Sequence, residues 1–514
     1  MNGAESLVRT LLACGVDTCF TNPGTSEMHF VAALDRVEGM RCILALFEGV
    51  ATGAADGYYR MRDAPAATLL HLGPGLGNGL ANLHNAKKAG SGVVNIVGEH
   101  ATRHLAFDPP LASDIKGLAA PVSAFVRTAA NAAALGGDAA AAIQAARRPP
   151  GQIATLILPA DAAWNEGGIV GAPLPAARRT PASPAAVESA ARILRSGEAT
   201  TLLIGGAALR QDALELAGRI AAATGCRLLA PLSNARLQRG AGRVALDRVP
   251  YPVDQALAVF AKTRHIILVE AREPIGFFAY PDKPSLMKPE GCAVHELCPV
   301  GGDGRAALDM LAAAVGAKPG TARVEAPVKT AAPQGALTPE TLALALAAHL
   351  PEGAIVLDES LTSGRNLFPP TAGCPPHDWL QNMGGSIGFS TPAATGAAVA
   401  CPDRKVVCLV GDGSAMYTIQ SLWTQAREGL DVTTIVLANR GYQILKGEFA
   451  GVRAGAPGQR AIDMLNIDRP DVDWVSLAKG LGVPGSKATT AEALSKALAA
   501  AMASAGPKLI EAQL

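Results

Sequence analysis

Three oxygen-bearing positions stand out near the carboxyl end of the chain: Asp412 in G-D-G-S, then Asn439 and Gly441 in A-N-R-G-Y. Asp412 and Asn439 offer hard oxygen ligands, and a backbone carbonyl near Gly441 could supply a third. Magnesium takes a few such oxygens and completes its octahedron with phosphate oxygens. Gly411 and Gly413 let backbone N–H groups approach an anion, and a helix N-terminus just beyond favours negative charge. Read this way, the residues suit a magnesium-bridged diphosphate. A tight turn in any α/β protein is the bland alternative for the G-D-G run taken alone.

The elements that must carry these groups are legible on either side. Val406 to Val410 is a continuous apolar run and reads as a buried parallel strand. A helical pattern follows, placing Met416, Ile419, Leu422 and Trp423 on one face. A second buried strand, Ile435 to Leu437, ends at Asn439. Both polar groups thus sit at carboxyl ends of strands, where open α/β sheets place ligands.

G-D-G-S followed by Asn439 resembles the thiamine-diphosphate (ThDP) binding motif. The resemblance covers essentially the whole chain. It is to the group holding acetolactate synthase, benzoylformate decarboxylase and pyruvate decarboxylase, and above all to acetolactate-synthase-like proteins of unassigned reaction. It implies ThDP and Mg2+ as cofactors, with Asp412, Asn439 and Gly441 on the metal. Gly411, Gly413, Ser414 and Tyr442 would contact the cofactor. Ser360, Thr362 and Ser363, in L-D-E-S-L-T-S, resemble the diphosphate-binding hydroxyls. In N-M-G-G-S-I-G-F-S, Gly385 would accept from the 4′-amino group and Ile387 would prop the bent coenzyme.

Glu48, in L-F-E-G-V-A-T-G-A-A-D-G-Y, would by itself read as a first-turn acid favoured by the helix dipole. The resemblance implies instead the glutamate that hydrogen-bonds N1′ of the aminopyrimidine and activates the cofactor, which then serves as an electron sink. His71, at the end of the strand in L-L-H-L-G-P-G, is a core histidine on residue type alone; the resemblance implies a proton shuttle. In N-P-G-T-S-E, Thr25 or Ser26 caps a helix on residue type alone; the resemblance implies that Thr25 matches a benzoylformate decarboxylase serine holding the substrate carboxylate, with Ser26 beside it in the substrate pocket. Leu445 matches a position lining the substrate pocket. Glu99, His100, Arg103 and His104 either line that pocket or form a solvated loop.

Departures from the group are equally specific. The central stretches I-G-G-A-A-L-R and E-P-I-G-F-F-A-Y carry no dinucleotide fingerprint, so FAD is doubtful. The arginine–tryptophan signature of acetolactate synthases is replaced by Y-Q-I-L-K-G-E-F. No histidine occurs in Gly276 to Pro281, where benzoylformate decarboxylase has its second one. The expected activity is therefore ThDP- and Mg-dependent cleavage and formation of C–C bonds on a 2-oxo acid, with an aldehyde or second oxo acid as acceptor. Alternatives are non-oxidative decarboxylation of the benzoylformate decarboxylase type and a non-catalytic ThDP-binding homologue or subunit.

At 514 residues the chain has room for several domains. Alternating β and α patterns predict an α/β protein of three doubly wound parallel-sheet domains. These are a pyrimidine-binding domain (1–165), a central domain (182–320) and a diphosphate- and Mg-binding domain (340–514), separated by Pro- and Gly-rich linkers. A net charge of +1 gives no reason to expect nucleic acid or a membrane surface. Nine scattered cysteines without a C-x-x-C pair suggest reduced thiols and a cytoplasmic location. The opening M-N-G-A-E-S-L-V-R lacks a leader's apolar core, and no leader is expected. The resemblance implies a homodimer or homotetramer in which Glu48 of one subunit meets Asp412 of another.

Overall fold

The computed structural model describes residues 1–514 as three sheets flanked by helices. The first contains β1 (Thr18–Asn22), β2 (Arg41–Leu44), β3 (Ala66–Leu70), β4 (Val93–Glu99), β5 (Phe125–Thr128) and β6 (Ile153–Pro159). Next in the chain come β7 (Thr200–Ile204), β8 (Arg227–Ala230), β9 (Leu237–Arg239), β10 (Asp247–Arg248), β11 (His265–Val269) and β12 (Ala293–Cys298). The last third supplies β13 (Ile355–Glu359), β14 (His377–Gln381), β15 (Val406–Gly411), β16 (Val432–Ala438), β17 (Gly485–Ala488) and β18 (Lys508–Gln513). The sheet orders are β2-β1-β3-β4-β6-β5, β10-β8-β7-β11-β12 and β17-β18-β16-β15-β13-β14-β9. All pairings are parallel except that of β9 with β14. The doubly wound α/β class expected from the strand–helix alternation is the fold observed.

Helices cover both faces of each sheet, and the apolar clusters show which faces are shared. One cluster of 46 buried residues runs from Phe20 and Ile43 to Val406 and Val436, so the first and third sheets are welded by a single core. The second sheet keeps two cores of its own. The weld is made by the Glu48–Arg62 helix lying on the Ser390–Ala400 helix. A Cβ at Gly57 would fall 2.0 Å from the Ala393 carbonyl oxygen, so only glycine permits this backbone-to-backbone approach. Beside it the buried Arg60 pairs with Asp56 at 2.7 Å, donates to the Gln381 carbonyl and stacks over Phe389.

Three expectations are corrected. The helix after Asp412 is not one amphipathic rod: it breaks between Thr418 and Ser421, where Ser421 Oγ donates to the Thr418 carbonyl. Ile419 and Leu422 are buried, but Met416 is 46% exposed because the break interrupts the helical period. His71 does not end a strand, because β3 stops at Leu70, whereas Glu48 is the first-turn acid its residue type suggested. His71 caps the Leu72–Ala89 helix, and Glu48 opens its own helix. Strands β5, β9, β10, β12, β14 and β17 escape a search for apolar runs. In β14 the reason is explicit: His377 and Asp378 are buried, and Asp378 is held by Arg236 and Arg404 at 2.5 and 2.6 Å.

Burial, with the nearby Arg239 charge adding to it, pulls the His377 imidazole down to about 3 from its ordinary 6.5. An unfolded chain protonates this ring below pH 6.5 while the folded chain keeps it neutral, so stability is lost as pH falls. Between pH 6.5 and 5 the expected loss is about 2 kcal/mol. Denaturant unfolding of the protein and of His377→Gln across that range checks this: the variant's stability should fall less steeply by that amount.

All nine cysteines are free and seven are buried. No helix is long and apolar enough to cross a membrane.

Candidate functional site

The carboxyl ends of β13, β15 and β16 bring together one polar cluster. Asp412, 4% exposed, opens a helix directly after β15. Its Oδ1 accepts the Gly413 N–H at 2.8 Å and its Oδ2 the Arg440 N–H at 2.6 Å. Burial pushes its carboxyl above the usual range, and those N–H bonds pull it back. Asn439 donates to Ser363 Oγ at 3.2 Å, and its Oδ1 accepts the Gly441 N–H. Between them Arg440 adopts a left-handed backbone (φ +58), which turns the chain so that both residues face the same loop. The Gly441 carbonyl accepts the Gln443 N–H and keeps its second lone pair.

These donors fit a magnesium–diphosphate group. No cluster of three or more His, Cys, Asp or Glu is present in this chain. One carboxylate, one amide and one carbonyl are instead the partial set that magnesium completes with phosphate and water oxygens. Ser414 Oγ is buried and has no partner, an orphan hydroxyl that an anion would satisfy. A Cβ on Gly413 would fall 2.5 Å from the Tyr442 ring, so the tyrosine closes over the glycine. Of the hydroxyls after β13, Ser363 joins Asn439, whereas Ser360 turns to Asp358 Oδ1 at 2.5 Å; Thr362 is half-buried beside them.

The Asn382–Phe389 loop is held from two sides. Buried Glu359 accepts the Gly388 and Ser390 N–H groups at 2.9 and 2.8 Å. From the Leu72–Ala89 helix, Asn85 binds both the N–H and the carbonyl of Ser386. Asn82 donates to both Gly49 and Gly388 carbonyls, tying the start of the Glu48 helix to this loop. Gly385 is exposed with φ +78, and a Cβ there would meet the Phe277 ring at 2.6 Å. Ile387 is half-buried nearby. Leu445, 45% exposed, lies on the Gln443–Gly451 helix, which Glu448 ties to Tyr251 at 3.0 Å.

A second group gathers at the carboxyl ends of the first sheet. His71 Nδ1 lies 2.8 Å from Glu27 Oε2, and Glu27 is fully buried. Ser26 Oγ donates to Glu27 Oε1 at 2.5 Å, and the Gly24 N–H donates to Oε2 at 2.8 Å. Neither Thr25 nor Ser26 caps the following helix; Ser26 is spent on Glu27, and Thr25 is the exposed hydroxyl. These residues line a cavity of about 300 Å³ with His100, Arg103, His104 and Trp164. Glu99 is buried behind them and accepts the His100 N–H. Glu48 accepts from Asn78 at 3.0 Å. No hydrogen bond in this chain joins Glu48 to Asp412 or Asn439. The larger cavity of about 430 Å³ beside Asp412, lined by Arg440, Asp471, Trp474 and Lys487, shares no residue with the His71 cavity.

Sequence reasoning missed Glu27, Glu359, Asn82, Asn85 and Phe277. Glu27 was visible as the last residue of N-P-G-T-S-E, and the two asparagines as polar breaks one turn apart in a helix. Their partners lie far away in the chain and gave no local signal.

Polar clusters at the carboxyl ends of doubly wound parallel sheets are where cofactor-binding α/β enzymes hold their ligands. Residues 1–118 match the N-terminal TPP binding domain of thiamine pyrophosphate enzymes, and residues 370–512 match the C-terminal TPP binding domain. The chain belongs to the thiamine-diphosphate-dependent enzyme family, in the branch of acetolactate synthase and benzoylformate decarboxylase. It is 53% identical to IlvX of Mycobacterium tuberculosis, provisionally named an acetolactate synthase large subunit, over 99% of this chain and 98% of that one. It is 30% identical to a benzoylformate decarboxylase of Pseudomonas aeruginosa, covering 97% and 96% of the two chains. The solved 4-hydroxybenzoylformate decarboxylase of Rhodococcus jostii shares the fold, with TM-score 0.83 and 24% identity over 99% of this chain and 98% of that one.

At the His71 cavity, Glu27→Gln is expected to lower turnover about tenfold to a hundredfold while leaving cofactor affinity unchanged. The carboxylate orients the imidazole at Nδ1 while accepting from the Ser26 hydroxyl and the Gly24 N–H, and an amide with a single oxygen cannot keep all three contacts. Steady-state kinetics beside cofactor titration check this: kcat should fall while the cofactor dissociation constant stays at the wild-type value.

Proposed function

We propose that the chain is a magnesium- and ThDP-dependent enzyme that cleaves the bond beside the carbonyl of a 2-oxo acid, releases carbon dioxide and joins the remaining fragment to an acceptor carbonyl. The observation that carries this reading is the Asp412–Asn439–Ser363 cluster beside the orphan Ser414 hydroxyl, a cradle of the right chemistry for a metal-bound diphosphate. When bound, ThDP would supply the nucleophilic carbon and take up the electrons of the broken bond. Asp412, Asn439 and the Gly441 carbonyl hold the metal. Gly411, Gly413, Ser414, Thr362, Ser363 and Tyr442 surround the diphosphate, while the Ser360 hydroxyl stays on Asp358. Gly385 and Ile387 position the rings, Glu48 carries the activating proton, and His71 moves protons at the substrate. Thr25 faces the substrate carboxylate, and Leu445 borders the rest of the substrate.

The units 1–165, 182–320 and 340–514 act as pyrimidine, central and diphosphate domains. Two copies complete the site, a reading supported by the separation of the His71 and Asp412 cavities within one chain. The free thiols accord with a reducing, cytoplasmic setting.

A second reading has a specific observation behind it. His71 and Thr25 face one cavity, and the 30% identical relative is named a benzoylformate decarboxylase; both favour simple protonation after carbon dioxide leaves. Carbon dioxide release from a panel of aliphatic, branched and aromatic 2-oxo acids, with and without aldehyde or oxo-acid acceptors, separates the readings. Ligated product supports the first reading, and aldehyde alone supports the second. Tight ThDP binding without turnover of any substrate would leave a non-catalytic homologue.

A further inference from the structure

We propose that the ligand crevice of the second sheet is filled by the chain's own Glu270, so that the enzyme works without FAD or any other nucleotide at that place. Strand order locates the crevice. From β7 the chain builds outward through β8 and β10, then crosses back so that β11 and β12 extend the other side. The reversal falls between β7 and β11, and open α/β sheets bind nucleotides outside the carboxyl ends of the strands at such a switch.

Several features of a phosphate cradle meet there. Gly205 and Gly206 follow β7, and Gly206 takes φ +54 as it opens a short turn over Gly206–Leu209. The Gly304–Ala314 helix begins against the same spot. Backbone N–H groups of a glycine turn and of a helix start would together receive a phosphate.

The anion already in place is Glu270, the residue directly after β11. It is 4% exposed and holds a left-handed backbone, φ +48, a conformation that disfavours side chains other than those of Asn and Asp. Its Oε2 accepts the Ala207 N–H at 3.2 Å and lies 3.3 Å from Arg179 Nη1. The start of the Gly304–Ala314 helix lies against the same carboxyl. A Cβ on Gly206 would come within 2.7 Å of Oε2, and one on Gly304 within 2.5 Å of Oε1. The space opened by those glycines is thus taken up by a carboxylate, and an entering phosphate would meet both its bulk and its like charge. Burial pushes this carboxyl up, while Arg179 and the Ala207 N–H draw it back. Glu270 lies outside the residues assigned above to ThDP, so its role does not depend on that assignment.

The test uses the full-length protein kept saturated with ThDP and magnesium, so that the diphosphate site is filled. Wild type, Glu270→Gly and Glu270→Gln are titrated with FAD, with ADP and with inorganic phosphate, following flavin fluorescence and the thermal midpoint. Glycine suits the left-handed backbone and empties the cradle, whereas glutamine keeps its shape. Wild type should purify without a flavin band and bind neither FAD nor ADP. Phosphate should raise the midpoint of Glu270→Gly by a few degrees and leave wild type and Glu270→Gln unmoved. Co-purifying flavin or saturable nucleotide binding to wild type would overturn the proposal. So would a folded Glu270→Gly protein whose midpoint ignores phosphate. Should that variant not fold, Glu270→Asn, which also tolerates the left-handed region, carries the same measurement.

Discussion

Glu48→Gln should lower turnover about 10³-fold with little change in ThDP affinity or thermal stability. Glutamine matches glutamate in size, and its amide can turn to keep an oxygen toward Asn78, the only side chain bonded to Glu48. What it cannot do is hold and release a proton. Exchange of the cofactor's C2 proton, followed by NMR on the holoenzyme, isolates that property from substrate binding. Exchange should slow in step with turnover. A variant that exchanges at the wild-type rate would remove Glu48 from its assigned role and move attention to the His71 cavity.

Asp412→Asn is expected to weaken ThDP and magnesium binding by more than about a hundredfold, the upper end of what losing an outer-shell partner costs a metal site. Both oxygens of Asp412 accept backbone N–H groups, from Gly413 and from Arg440. An asparagine has one oxygen, so its NH2 must confront one of those donors in a buried place. The mismatch adds about 1–3 kcal/mol of strain in the empty protein. Two measurements therefore move together: cofactor affinity by fluorescence titration and the unfolding midpoint without cofactor. Wild-type affinity in the variant would remove Asp412 from its place on the metal.

How much of this could be read before folding depends on the range of the interaction. The long apolar strands β4, β6, β15 and β16 announce themselves because a strand buried on both faces needs consecutive apolar residues. β14 does not, since the energy that buries His377 and Asp378 comes from Arg236 and Arg404, whose positions no local pattern reveals. The same contrast divides the site. Asp412, Asn439 and their glycines were legible because a turn and the next strand end must converge in any parallel unit. Glu27 was read past because its value lies in His71, brought beside it by the pairing of β1 with β3.

By itself the sequence determined the chemistry available: a carboxylate and an amide at neighbouring strand ends, glycines where an anion would approach, and a glutamate opening a small-residue helix. The tertiary structure alone decided which groups are free to use it. Ser26 and Ser360 are occupied by neighbouring carboxylates, Ser414 is left without a partner, and Glu270 fills the crevice of the second sheet. Residue type sets what a side chain can donate or accept, but each lone pair and N–H is claimed only when distant segments of the chain are brought within hydrogen-bonding distance.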